Sequence, residues 1–166
     1  ALQQALQQIV QRHESLRTLI HSDEKGPYQV IRPAGEFELQ TAQLTGKGAE
    51  QQIRQHLEQA ASHHFDLAHE LPFKTTLLTL NDNEHVAIFT MHHIATDGWS
   101  SGVFIRELNA FYADLVADKK SKINKKELPA PQMQYADYAV RQQKMFSEGE
   151  FAASLSYWLE TLQGAP

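Results

Sequence analysis

The sequence predicts a layered α/β (α+β) fold in which helices pack a mixed sheet, and two observations predict it. Stretches with apolar residues at helical spacing alternate with short runs of β-compatible residues. Two of those runs are joined by the polar turn Asn81-Asp82-Asn83-Glu84, a hairpin signal that argues against an all-parallel sheet. No internal repeat suggests a solenoid or a propeller.

In chain order, Leu2, Leu6, Ile9 and Val10 share one face of a helix, with glutamines covering the other side. The chain thus opens inside an element, and preceding sequence is expected. After Arg12-His13-Glu14-Ser15, Leu16 to His21 reads as a strand. Gly26-Pro27 is expected to separate it from a second strand, Tyr28 to Arg32, and a third run covers Phe37 to Leu44. From Ala49 to His64, Ile53, Leu57, Ala60 and Ala61 return to helical spacing. His63 and His64 then stand at a helix C-terminus, where a histidine complements the dipole and needs no chemistry.

Strands Phe73 to Leu80 and His85 to Met91 follow, the second running into His92 as a central strand. Ser100 or Ser101 is expected to cap the next helix, with Ile105, Leu108, Tyr112 and Leu115 as its buried stripe to about Ala117. Tyr135 to Phe146 and Phe151 to Leu162 read as two further helices, with Leu155, Trp158, Leu159 and Leu162 expected as ordinary core.

Composition narrows the function. The 166 residues fit one domain, 42% are hydrophobic, and no apolar run is long enough to span a membrane, so a soluble segment is expected. No signal peptide can be read. The absence of cysteine excludes disulfides, thiolate metal sites and a cysteine nucleophile, and fits the cytoplasm. A net charge of -5 argues against a nucleic-acid surface, which needs clustered cations to neutralise phosphates. The one basic cluster, Lys119, Lys120, Lys122, Lys125 and Lys126, leads into Pro129 and Pro131 and reads as a solvated loop.

The chemistry concentrates in His92-His93-Ile94-Ala95-Thr96-Asp97-Gly98-Trp99-Ser100, where a strand hands over to a helix. Imidazole exchanges protons near neutral pH, so one histidine can act as a general base. Alternation at a strand end turns the two histidines to opposite sides, so at most one faces a given cleft. Gly98 offers backbone freedom and close approach for a substrate. Two other readings stay open on the residues alone: a metal held by His92, His93 and Asp97, against which no third-ligand motif is present, and histidines that only satisfy a packed core. No Gly-x-Ser-x-Gly elbow supports a serine nucleophile.

The histidine run resembles the His-His-x-x-x-Asp-Gly motif of condensation domains of non-ribosomal peptide synthetases, in the chloramphenicol-acetyltransferase-like superfamily. Arg12 to Thr18 resembles the second motif of that family and Tyr135 to Val140 the fourth, in the expected order. Tyr157-Trp158-Leu159 with Leu162 to Pro166 resembles the segment that follows. Arg141 stands where the family often has tryptophan.

The resemblance implies that residues 1-166 are a partial condensation domain: most of an N-terminal lobe with a chloramphenicol-acetyltransferase-like fold, lacking the first motif and the C-terminal lobe. It implies amide bond formation between two thioesters carried on phosphopantetheine arms by donor and acceptor peptidyl carrier proteins, with an adenylation domain adjacent and no directly bound cofactor or metal. In that picture His93 is catalytic, and His92, Asp97 and Gly98 support the loop. Asp97 is held structurally by an arginine, Arg12 or Arg17, and Trp99 packs the loop. Tyr135, Asp137 and Tyr138 pack and hydrogen-bond between layers. The segment after Asp97 disfavours the epimerisation relatives. An acyl-CoA-dependent acyltransferase and a non-catalytic docking or structural lobe are the alternatives.

Overall fold

The apolar face of Leu2–Arg12 forms the first helix, α1, and buries Ala5, Leu6, Ile9 and Val10. A computed structural model describes residues 1-35, 37-44, 46, 48-117 and 128-165, which divide into two units, Ala1–Pro131 and Gln132–Pro166. The glutamines of α1 do more than face solvent. Gln3 Nε2 donates to the Phe37 carbonyl at 3.2 Å, and Gln7 donates to the Gly35 carbonyl at 2.7 Å while accepting from the Phe37 N–H. They pin the segment that delivers Phe37 to the core.

A one-turn 3-10 helix, Glu14–Arg17, takes the first residues expected of a strand, and β1 runs over Thr18–Asp23. It pairs antiparallel with β2, Gly26–Ile31. Gly26 and Pro27 therefore begin β2 instead of separating two elements. Gly26 lies at φ 111°, a conformation open to glycine, and Pro27 is tolerated because a two-stranded ribbon leaves ladder positions unpaired. Only Gln40–Gln43 of the third expected run forms a strand, β3.

Helix α2, Ala49–Ala61, starts after Gly48, whose φ of 119° again suits glycine. It is the crossover that a parallel pair requires: β3 lies parallel to β4, Phe73–Asn81, which pairs antiparallel with β5, Glu84–Met91. The sheet order β3-β4-β5 is mixed, as expected. β4 is its centre and β5 an edge among the described residues, so the histidine loop leaves an edge strand, not a central one.

Pleating divides the sheet between two sets of helices. Phe73 of β4 and Phe89 and Met91 of β5 point to α1 and to α3, Gly98–Val116, while Leu78 and Ile88 point to the α2 side with Ile53 and Ala60. Phe104 of α3 ties the larger core together through edge-to-face contacts with Phe73 at 5.6 Å and Phe89 at 5.1 Å. The buried face of α3 is Phe104, Glu107 and Leu108, continued by the half-buried Phe111 and Leu115. Ile105 and Tyr112, expected in that stripe, are 48% and 43% exposed because the helix is turned to favour the phenylalanines.

Glu107 is a buried carboxylate within that face. It accepts from Arg12 Nε at 3.2 Å and pairs with His13 Nε2 at 2.6 Å, locking the end of α1 to the middle of α3. Arg12 also donates to the carbonyls of Leu128 and Pro129, which fastens the segment after α3. The lysine cluster lies outside the described residues.

The second unit comprises α4, Tyr135–Ser147, and α5, Ala152–Thr161. Phe146 and Phe151 meet at the turn between them, their rings 4.4 Å apart. Leu155, Trp158, Leu159 and Leu162 are exposed and do not form the expected core, since two helices alone cannot enclose a stripe on both sides. Tyr135 and Tyr138 are exposed as well, and Asp137 serves as the partner of the Gln134 N–H in the α4 capping box.

Removing the Glu107 carboxylate leaves Arg12 and His13 without their shared acceptor. Glu107→Ala is expected to destabilise the fold by about 3 kcal/mol, the low end of the range for removing one partner of a buried pair, because Arg12 and His13 both keep some access to water. Urea denaturation checks this, and an unchanged midpoint would contradict it.

Candidate active site

β5 ends at Met91, and the chain reaches α3 through a short turn from His92 to Asp97. The turn is built from its own side chains and backbone. His92 N–H donates to the Pro72 carbonyl at 2.9 Å, the His92 carbonyl accepts from Ala95 N–H at 3.0 Å, and His92 Nδ1 accepts from Ile94 N–H at 3.0 Å. An Nδ1 that accepts leaves the proton of the neutral ring on Nε2.

Asp97 closes the turn as the N-cap of α3. Its Oδ1 accepts from the Ser100 N–H at 2.7 Å and from the Ser100 hydroxyl, whose oxygen in turn receives the Asp97 N–H at 3.3 Å. This reciprocal box is the physical reason that α3 starts at Gly98. Ser100 is thus the third helical residue of the box, not the cap, and Ser101 bonds the Asp97 carbonyl at 2.9 Å.

The arginine partner expected for Asp97 is not formed. Arg12 is held by Glu107 and Arg17 by Glu14 at 3.3 Å, while Asp97 stands exposed at the helix start with its Oδ1 engaged by Ser100. The Ser100 hydroxyl and N–H hold the Asp97 carboxyl below its ordinary value against the opposing effect of desolvation, and the Trp99 N–H and the neighbouring His93 ring act in the same direction as Ser100.

His93 is exposed, and among the described residues its ring makes no hydrogen bond. His92 is half-buried, with Phe65 edge-on at 5.9 Å. Both border one open groove of about 570 Å³, lined also by Leu57, Ala60 and Phe65 and by Ile88 to Met91 of the β5 edge. The expected division of the histidines between opposite sides fails because β5 stops before them, so strand alternation does not reach the turn.

Two further expectations change. Gly98 has no left-handed backbone, and a Cβ there would meet nothing within 4 Å, so its conformational freedom is not what the site requires. Trp99 is 86% exposed and does not pack the loop, because it sits on the outer face of the first turn. The structure brings His92, His93, Asp97 and Gly98 together and leaves Arg12 and Arg17 outside. Glu107 and Phe65 were not legible as site-supporting residues, although a glutamate on the same helical stripe as Phe104 and Leu108 is a detectable oddity. His63 also has a role beyond the dipole: α2 ends at Ala61, and His63 Nε2 pairs with Glu70 at 3.0 Å.

A carboxyl whose folded value is depressed contributes stability above its unfolded value and loses it as pH falls through the folded one. The Ser100 amide, followed by NMR, is therefore expected to titrate with a midpoint below the ordinary aspartate value of about 3.9. Arg12→Gln and Arg17→Gln should leave that midpoint in place, while Asp97→Asn should remove the transition and keep the helix start. A midpoint that moves on loss of either arginine would restore the salt bridge.

No helix among the described residues is long and apolar enough to cross a membrane. The condensation-domain family model matches residues 1-166. The chondramide synthase of Chondromyces crocatus is 35% identical over 98% of the chain, and the isonitrile lipopeptide synthase of Mycobacterium tuberculosis 36% identical over 100%. The chain spans 4% and 7% of the lengths of these two relatives. Among solved structures, the X-domain from teicoplanin biosynthesis superimposes with a TM-score of 0.84 at 29% identity, over 99% of this chain and 36% of that one. The same X-domain is also solved in complex with OxyB. The epimerization domain of tyrocidine synthetase B, at 23% identity and a TM-score of 0.79 over 99% of this chain and 36% of that one, shares the chloramphenicol-acetyltransferase-like fold. With a family model matched from end to end, and with its histidine turn, its sheet and its relatives in agreement, the chain belongs to the condensation-domain family.

Proposed function

We propose that this chain is most of the N-terminal lobe of a condensation domain in a cytoplasmic non-ribosomal peptide synthetase, and that it presents the histidine that forms the peptide bond. The observation that carries the reading is His93: exposed, without a ring hydrogen bond among the described residues, and set on a turn held at both ends. Such an imidazole is available to a substrate proton.

In the proposed reaction, the acceptor amine attacks the donor thioester carbonyl, forming the C–N bond as the C–S bond breaks. His93 takes the proton that the amine loses and returns it to the departing pantetheine thiolate. No group is oxidised or reduced. His92 and Asp97 hold the turn, and the Gly98 backbone borders the reacting centre. Donor and acceptor peptidyl carrier proteins deliver both arms, and an adjacent adenylation domain supplies the aminoacyl group. We further infer that residues 1-166 alone do not condense substrates. The exposed apolar residues Leu155, Trp158, Leu159 and Leu162 support a covering partner lobe.

One observation favours a second reading, a non-catalytic platform: the teicoplanin X-domain, 29% identical, has been solved bound to OxyB. The two readings differ in what His93 does. In the intact synthetase module, His93→Ala is expected to slow amide formation by about 10²- to 10⁴-fold, with a smaller loss in His92→Ala. Carrier-bound donors should react where CoA thioesters do not. Full turnover by His93→Ala would favour the platform, and efficient use of CoA donors would favour a CoA-dependent acyltransferase.

A further inference from the structure

The segment from His63 to Pro72 touches the histidine turn in a way that the proposed reaction does not use. The Phe65 ring stands at 87° to His92, with the ring centroids 5.9 Å apart. Phe65 is itself held from two other directions: the His63 ring meets it edge-on at 4.6 Å, and Lys74 Nζ lies 5.9 Å from its centroid. Aromatic contacts of this geometry are favourable and direction-dependent, unlike simple apolar burial.

Glu70 gathers the groups around Phe65. Its Oε1 accepts from the Asp66 N–H at 2.8 Å and pairs with His63 at 3.0 Å, while Oε2 pairs with Lys74. Partial burial pushes the Glu70 carboxyl up, but Lys74, the Asp66 N–H and His63 outweigh it and hold the group below its ordinary value. The same segment grips the main chain, since the Pro72 carbonyl receives the His92 N–H. It is anchored to β1 as well, through Ile20 N–H and the Leu67 carbonyl at 2.8 Å.

We propose that Phe65 is a positioning residue for the histidine turn: by standing edge-on against His92 it keeps the His92 Nδ1 to Ile94 N–H bond in place, and so directs His93. The sequence of contacts is short. If the His92 ring turns, Nδ1 loses the Ile94 N–H, and the main chain on the C-terminal side of His93 keeps only the backbone bond from Ala95 N–H to the His92 carbonyl. A displacement of about 1 Å at a reacting group can cost on the order of 100-fold in rate. This inference rests on the reading of His93 as the base, but its geometric half can be tested apart from that reading.

The test uses the intact synthetase module with Phe65→Leu, which keeps apolar bulk but loses the ring, and Phe65→Tyr, which keeps the ring. Rate constants, KM for the acceptor, thermal unfolding and hydrogen exchange at the Ile94 amide are read for each, beside His93→Ala. The expected result is that Phe65→Leu lowers kcat roughly tenfold or more, leaves KM and the unfolding midpoint near the parent values, and speeds Ile94 exchange. Phe65→Tyr should restore all of these. Parent kcat in Phe65→Leu, or a loss that tracks the unfolding midpoint in both variants, overturns the proposal. If His93→Ala stays active, the base assignment fails, and Ile94 exchange alone decides: faster exchange in Phe65→Leu supports the positioning role and unchanged exchange overturns it.

Discussion

The capping box of Asp97 and Ser100 is the constraint on which the arrangement depends. A helix start needs an acceptor for its free N–H groups, and Asp97 supplies one directly after the histidines. Where α3 begins decides which of its residues face the sheet, and only the six residues His92 to Asp97 separate it from β5. The carboxylate therefore acts on His93 by ending the turn at a fixed place. It does not orient the imidazole as a triad aspartate would, because its hydrogen bonds go to Ser100.

From that start, packing does the rest. α3 carries Phe104 between Phe73 and Phe89, and α1 closes over the same face with Leu6 and Ile9. A purely apolar contact between the two helices would permit sliding. The buried Glu107, shared by Arg12 and His13, gives the pair one register and joins the end of α1 to the helix that follows the histidines. On the other face α2 covers Leu78 and Ile88, and its end borders the groove in which the histidines stand. The turn is thus held by the sheet from behind and by the helix ahead of it.

Much of this was legible in the sequence because period and turn chemistry are local signals. The spacing of Leu2, Leu6, Ile9 and Val10, the Asn81 to Glu84 turn and the helices after Gln134 all needed only neighbouring residues to read. What escaped depends on tertiary competition. Ile105 and Tyr112 fit a helical stripe as well as Phe104 and Phe111 do, and only packing on Phe73 and Phe89 chooses between them. Asp97 was expected to pair with an arginine, yet Arg12 and Arg17 have nearer carboxylates in Glu107 and Glu14, and Ser100 lies three residues from Asp97. Phe65 is remote in sequence from His92, so no local pattern could join them. The stripe of Leu155 to Leu162 shows the converse error, since apolar spacing reveals a face but not what covers it.

Under the proposed reading, His93, and not its neighbour, meets the reacting amine. An acceptor analogue whose amine is replaced by an alkyl bromide, carried on the pantetheine arm of a carrier protein, puts an electrophile where the amine would stand; an imidazole nitrogen there displaces bromide and keeps the label. Peptide mass mapping of the labelled synthetase should find the adduct on His93, and none should form in the His93→Ala variant. An adduct on His92, or labelling that persists when His93 is removed, would contradict the account.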